Sequence, residues 1–229
     1  MNTGDIITYL EMCQIEQVNS LQRGMNYRLH PTYSVLLMSM RINAPYIDKV
    51  EDDGRILIYE GHDIPKSEGN PKSDDQPMYT KKGNLTQNGL FYEAAKRFQN
   101  SQEPAEIVRV YEKIHSGVWA YNGEFYLIDA SQEVSNNRIV FKFKLEALDT
   151  TIVESKVNTK TEVEHSRMIP SSVKKIVWQR DRGQCVKCGS KKNLHFDHII
   201  PYSLGGSSFE DNIQILCQSC NLSKSDKIE

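Results

Sequence analysis

Four cysteines stand in two Cys-x-x-Cys pairs, Cys185-Val-Lys-Cys188 and Cys217-Gln-Ser-Cys220, with 28 residues between them. In a reducing compartment paired thiols at this spacing read as a metal site and not as disulfides. Four thiolates make the closed tetrahedral shell that structural zinc prefers, so Zn²⁺ is expected on Cys185, Cys188, Cys217 and Cys220. Between the pairs runs Leu194-His195-Phe196-Asp197-His198-Ile-Ile-Pro201, followed by Gly205-Gly206 and Asn212; Asn221 and Lys224 come directly after the second pair. The stretch therefore collects an imidazole that titrates near neutral pH, a hard carboxylate oxygen, two amide side chains and a lysine about one helical turn beyond the second amide. Side chains alternate along an extended chain, so Asp197 and His198 are expected on opposite faces, with His195 on the face of Asp197. The fifth cysteine, Cys13, reads as a small buried apolar residue.

The order Asp-His-Ile-x-Pro, Gly-Gly, Asn, Leu-Cys-x-x-Cys-Asn, over about residues 170–227, resembles the HNH endonuclease family, whose ββα-metal fold grips one divalent ion. Hydrolysis of a phosphodiester needs an activated water and a cation on the phosphate. The resemblance implies that His198 is the general base, that Asp197 and Asn221 hold a catalytic Mg²⁺ or Mn²⁺, and that Asn212 orients the base through backbone hydrogen bonds. It also makes Lys224 a stabiliser of the charged phosphate. Asn221 stands where many members carry His, giving a His-Asn-Asn variant whose amide oxygen favours a hard cation over zinc. Lys174, Lys175, Arg180 and Arg182, just upstream, are expected phosphate contacts.

These residues need elements to hold them. Pro170-Ser171-Ser172 opens a helix carrying Val173, Ile176, Val177 and Trp178, stopped at Gly183. Further upstream, apolar spacing predicts helices over residues 5–22, with Asp5 as a cap, and over about 87–99. Runs at 34–40, 55–59, 107–114, 124–128 and 138–145 are rich in β-branched and aromatic residues and read as strands. They are punctuated by Asp53-Gly54, Asn122-Gly123 and Ser135-Asn136-Asn137, which is turn chemistry. Residues 61–84, rich in Gly, Pro and charge, read as a long loop. Polar residues 149–169 read as a linker, giving a reader domain over 1–148 and a nuclease domain over 170–229.

The chain is 229 residues with a net charge of −2, and its balance of charged and hydrophobic residues is that of a globular protein. No apolar run approaches membrane-spanning length and no signal sequence opens the chain, so a cytoplasmic protein without membrane association is expected. The whole-chain charge argues mildly against nucleic acid, but it averages two unlike halves. Residues 1–160 carry 18 basic and 22 acidic side chains, whereas residues 166–225 carry 9 basic and 4 acidic. The basic excess needed for a phosphate backbone is confined to the stretch with the His and Cys residues.

A ββα-metal module grips backbone more than sequence, so something must aim it. Ala44-Pro-Tyr46-Ile-Asp48, then Gly54, then Ile58-Tyr59-Glu60-Gly61, with Tyr121-Asn122-Gly123 further on, resembles SRA (YDG) domains, which read modified cytosine. The resemblance covers about residues 30–148. It implies a PUA-like curved β-barrel with flanking helices, in an α+β protein whose second part is the small zinc-stabilised ββα-metal domain. It also implies a pocket for a flipped base built from Tyr46, Asp48, Tyr59 and Glu60, two aromatic faces with a carboxylate to accept from the exocyclic amine. Arg23, Lys81 and Lys82, on loops, are expected to probe the duplex. Together the two resemblances imply a modification-dependent restriction endonuclease acting on double-stranded DNA that carries modified cytosine. One nuclease site per chain against two strands implies a homodimer or sequential nicking. The alternatives are an HNH endonuclease specific for an unmodified sequence or DNA structure, and a zinc-stabilised DNA-binding protein that does not cut.

Overall fold

The computed structural model describes residues 1–39, 48–51, 54–148 and 168–224. Its elements run β1 (Asp5–Thr8), α1 (Tyr9–Ile15), β2 (Met25–His30), β3 (Tyr33–Met38), β4 (Lys49–Glu51), β5 (Ile56–Glu60), α2 (Gln87–Gln99), β6 (Glu106–His115), β7 (Val118–Ser135) and β8 (Arg138–Ala147). After the segment 149–167, outside the described residues, come α3 (Ser171–Arg180), β9 (Leu194–His198), a single 3₁₀ turn (Tyr202–Leu204), β10 (Ile213–Cys217) and α4 (Gln218–Lys224).

The chain divides into two compact units, and their membership crosses the linker. One unit is formed by Met1–Leu21, Tyr111–Gly123 and the described part of Asp149–Glu229; the other by Gln22–Val110 and Glu124–Leu148. The strands β6 and β7 are long enough to contribute one end to each unit.

In the first unit β10 pairs antiparallel with β9, β9 with β1, and β1 with the opening of β7. Asp5 lies opposite His195 and Ile6 opposite Leu194, while on its other side Ile6 lies opposite Ala120. The core explains why β1 is recruited. Ile169, Val173, Val177, Leu194, Phe196, Ile213, Ile215 and Leu216 from the C-terminal stretch are buried against Ile6, Ile114 and Ala120. A hairpin with two short helices has little apolar interior of its own, and strands from elsewhere in the chain complete it. This pairing also overrides the helical spacing read over residues 5–22, because Asp5–Thr8 is extended. Thr8 is the N-cap instead: its hydroxyl accepts from Glu11 N–H at 3.2 Å, and the Glu11 carboxylate accepts from Thr8 N–H at 2.7 Å.

In the second unit the strand path is β2-β3-β6-β7-β8-β5-β4, with α2 packed against β2 and β8. Phe91 of α2 meets Phe143 of β8 edge-on at 5.9 Å, over a core that includes Leu57, Val108, Leu127, Phe141 and Leu145. The expected closed barrel is not formed. The α+β sheet is open, and among the described residues no strand covers the outer edge of β2 or of β4. Closure requires the first and last strands of a path to pair, and here they are separate edges. The turn read at Asn136-Asn137 joins β7 to β8, both residues at positive φ (52° and 62°) as a two-residue hairpin turn requires. Asn122-Gly123, by contrast, continues inside β7 and turns nothing. The stretch 61–84 is tied down rather than free: Gln76 bonds Gly61 O, Phe141 N–H and Asp63, and Asn88 bonds both backbone groups of His62.

Candidate active site and metal centre

The thiols of Cys185, Cys188, Cys217 and Cys220 all lie within 4.8 Å of one another, and Cys188 Sγ is 3.6 Å from Cys217 Sγ. Thiolates at about 2.3 Å from a tetrahedral zinc stand roughly 3.8 Å apart, so the cluster fits the ion. Cys185 leaves the end of α3 through a short turn, and Cys217 ends β10 so that Cys220 falls in the first turn of α4. The Ser219 hydroxyl, 3.1 Å from Cys217 Sγ, and the Cys220 backbone N–H bring the Cys217 thiol down to about 6. Cys220 is pushed up, chiefly by its hydrogen bond with Cys217. Cys185 is lowered as well and Cys188 raised, so the thiols divide into two that favour the thiolate and two that favour the thiol, and an ion takes the remaining protons' place.

Beside the cluster, a cleft of about 180 Å³ is bordered by Asp197, His198, Pro201 and Tyr202 after β9, by Asn221 and Lys224 on α4, and by Thr3, Gly4, Asn122 and Lys174 from other parts of the chain. The predicted residues Asp197, His198, Asn221 and Lys224 are therefore brought together. His198 Nε2 lies 3.1 Å from Ser208 Oγ, and its ring meets Tyr202 edge-on at 5.7 Å. Asn212, which is buried, accepts from Ile200 N–H at 2.8 Å and donates to Ile200 O at 3.2 Å and Ser207 O at 2.7 Å. One side chain thus fastens the loop that follows His198 at both of its ends. Gly206 permits that closure, since a Cβ there would stand 1.9 Å from Ile200 O.

Lys224 is 1% exposed; its ammonium sits 3.1 Å from Asp197 Oδ2 and donates to His198 O at 2.6 Å. Gln214, opposite Asp197 in the hairpin register, donates to the same carboxylate oxygen at 3.1 Å. Both donors use one oxygen of Asp197, which leaves the other for a cation. Carboxylate and amide oxygens from Asp197 and Asn221 in one cleft are a hard donor set that fits Mg²⁺ or Mn²⁺.

The upstream cations have different fates. Lys175 is half-buried and Arg182 is exposed at φ 55°. Arg180 bonds Asp181, Glu210 O and Ile213 O, and Asp181 in turn accepts from Ile215 N–H at 2.9 Å, so this arginine fastens β10. Lys174 is 2% exposed and ion-paired with Glu112 at 2.9 Å. His195 is paired with Asp5 across β1 and β9.

In the second unit Asp48 accepts from Glu60 N–H at 2.9 Å, so Asp48, Tyr59 and Glu60 are neighbours; Tyr46 lies outside the described residues. Tyr59 is 4% exposed, its hydroxyl 3.4 Å from His62 Nε2. Burial holds that imidazole down to about 4, against the opposing pull of Asp63, so it is neutral at ordinary pH. Glu60 is buried between Lys142, at 2.7 Å, and Arg138, at 3.5 Å. Lys81 and Lys82 are exposed at a tip closed by Thr80 and Asn84, and Arg23 is exposed beside Gly24.

Sequence reasoning missed Gln214, Ser208, Glu112, Asn122 and the Thr3–Gly4 segment. For Gln214 the hairpin register carries the signal, two residues after Asn212 and across from Asp197. Ser208 lies in the same stretch but is marked by no motif, and Glu112, Asn122 and Thr3–Gly4 come from remote positions that nothing local marks.

Residues 185–227 match the HNH endonuclease family. Among solved structures the chain is similar to the SRA domain of SUVH5 in complex with methylated CHH DNA, at 20% identity and a TM-score of 0.47, over 65% of this chain and 90% of that one. The same SRA domain bound to fully hydroxymethylated CG DNA matches at 20% identity and a TM-score of 0.46, over 65% and 90%. The DNA modification-dependent restriction endonuclease AspBHI matches at 16% identity and a TM-score of 0.41, over 57% of this chain and 63% of that one. No curated protein matches the chain. Among the described residues no helix is long and apolar enough to cross a membrane.

Proposed function

We propose that this protein is a metal-dependent DNA endonuclease directed to modified cytosine. The observation that carries the nuclease part is the convergence of Asp197, His198, Asn221 and Lys224 on one cleft, inside the stretch that matches the HNH family and next to its four-thiol cluster. His198 accepts the proton of the attacking water, as a neutral imidazole can near pH 7. Asn212 fixes the loop behind it, and Lys224 anchors Asp197 to the strand end. A divalent ion held by Asp197 and Asn221 supplies Lewis-acid polarisation of the phosphate oxygens when bound. Zinc on Cys185, Cys188, Cys217 and Cys220 is structural, since four protein ligands leave no open position.

The directing part rests on the Tyr59-Glu60-Gly61 stretch and its resemblance to SRA sequences, with Asp48 hydrogen-bonded to its backbone. Tyr46, Asp48, Tyr59 and Glu60 form the base pocket in this reading, and Arg23, Lys81, Lys82, Lys175 and Arg182 contact the duplex. One cleft per chain requires a second copy, or a second visit, to sever both strands.

Matched duplexes carrying cytosine, methylcytosine or hydroxymethylcytosine, incubated with Mg²⁺ or Mn²⁺, test this function. Cutting confined to a modified duplex is expected. Equal cutting of all three retires the reader and leaves a nuclease for an unmodified sequence or structure. Binding without cutting under either ion leaves a zinc-stabilised DNA-binding protein.

A further inference from the structure

Lys174, expected from the sequence as a surface phosphate contact, instead belongs to a buried charge cluster that the proposed function leaves unused. Lys174 donates to Glu112 Oε2 at 2.9 Å and to Asn122 Oδ1 at 2.7 Å, and Asn122 Nδ2 closes the triangle by donating to Glu112 Oε2 at 3.3 Å. Lys174 and Glu112 are 2% and 1% exposed. Burial alone would raise the Glu112 carboxyl, but Lys174 beside it, with hydrogen bonds from Ser171, Lys174 and Asn122, brings it below its ordinary value. The cluster thus favours the carboxylate form of Glu112. An ion pair is a poor choice for packing alone, because apolar residues of the same volume hold a helix at least as well.

The position of the pair suggests another purpose. Lys174 and Asn122 border the same cleft as Asp197, His198 and Asn221. An ammonium has three donors, and among the described residues Glu112 and Asn122 take two of them. We propose that Lys174 is a phosphate ligand of this cleft, its ammonium fixed by Glu112 and Asn122 so that the third N–H meets a non-bridging oxygen of the bound strand. A charge set in place before the substrate arrives needs no reorganisation when negative charge develops. Lys174 therefore meets DNA from inside the cleft, not from a surface patch, and all three members of its cluster, Lys174, Glu112 and Asn122, lie outside the stretch that matches the HNH family. This inference rests on the nuclease reading.

The test uses the full chain, with zinc content and melting temperature as folding readouts. Glu112→Gln combined with Lys174→Met removes both charges at nearly constant volume and strands neither. In a His198→Ala background, duplex binding is followed over a salt series; with His198 intact, cleavage is timed. The expected double variant keeps its zinc, cuts roughly 100-fold more slowly and loses about one from the slope of log K against log salt. Lys174→Arg, which keeps the charge, is expected to recover part of the rate. A folded double variant with parental rate and slope overturns the proposal and makes the pair a structural clamp. If the double variant does not fold, Asn122→Ala decides instead, because it leaves the charge pair and removes the third corner. Parental cutting by a folded Asn122→Ala protein overturns the proposal as well. If the unmodified protein binds duplex without cutting, the nuclease reading fails, while the salt slope still decides whether Lys174 meets phosphate.

Discussion

Asp197 and His198 are neighbours in sequence, yet their side chains are held by different parts of the protein. The carboxylate is fixed by Lys224 and Gln214, and the imidazole is held between Ser208 and Tyr202. His198→Ala should lower cutting by about 10²- to 10⁴-fold and leave duplex binding and zinc content unchanged, as gel cleavage, anisotropy and metal analysis would show. An equal loss of binding would make His198 a contact residue and not a base. The four cysteines and Asp197-His198 were legible because their chemistry dictates spacing within one short segment. The burial of Lys174 and Lys224 was not, since a lysine in sequence carries no sign of the carboxylate it will meet. Glu112 yields a pH prediction with a definite sign. Its folded carboxyl lies below the ordinary 4.5, so its contribution to stability is complete above that value and is lost as pH falls through the folded value. Melting temperature should therefore fall more steeply on acidification below about pH 4.5 in the parent than in the Glu112→Gln, Lys174→Met double variant.

At the scale of elements, the four-thiol cluster ties the turn after α3 to β10 and α4, and Cys185 and Cys217 are buried in the same apolar core as Val173, Val177, Phe196 and Ile215. Removing the metal with a chelator should unravel α3–α4 and abolish cutting, whereas the strands and α2 of the second unit keep their amide protection in hydrogen exchange. Uniform loss of protection across both units would contradict this. Because protons compete for thiolates, the metal should be held less tightly as pH falls. The limits of α2 agree with the spacing of Leu90, Phe91, Ala94, Ala95 and Phe98, a periodicity that needs no distant partner. For Asp5–Thr8 the local pattern suggested a helix, and β9 and β7, far along the chain, decided otherwise. Asn122-Gly123 misled for the same reason. Its residue types suit a turn, but both residues run on inside the long strand β7, where the Asn122 amide serves Lys174 and Glu112.

At the scale of the whole molecule, the stretch with the nuclease motif does not make its own compact body. Its unit takes β1 and α1 from one end of the sequence and Tyr111–Gly123 from the middle. Thr3 and Gly4 border the cleft itself. Deleting residues 1–8 should abolish cutting and lower the melting temperature of the α3–α4 region, with β2–β5 and α2 unaffected; full activity of the truncated protein would show that β1 is dispensable. The charge asymmetry between the halves was legible, as was the strand-rich character of the first. That its strands form an open sheet could not be read, because strand content does not reveal whether the first and last edges meet. The pairing of β1 with β9 also bears on when the protein can act. Asp5 and His195 lie far apart in the sequence, so this side of the cleft is assembled late and slowly, through a contact of very high sequence separation. A fragment that holds β9 without β1 thereby lacks part of the cleft wall.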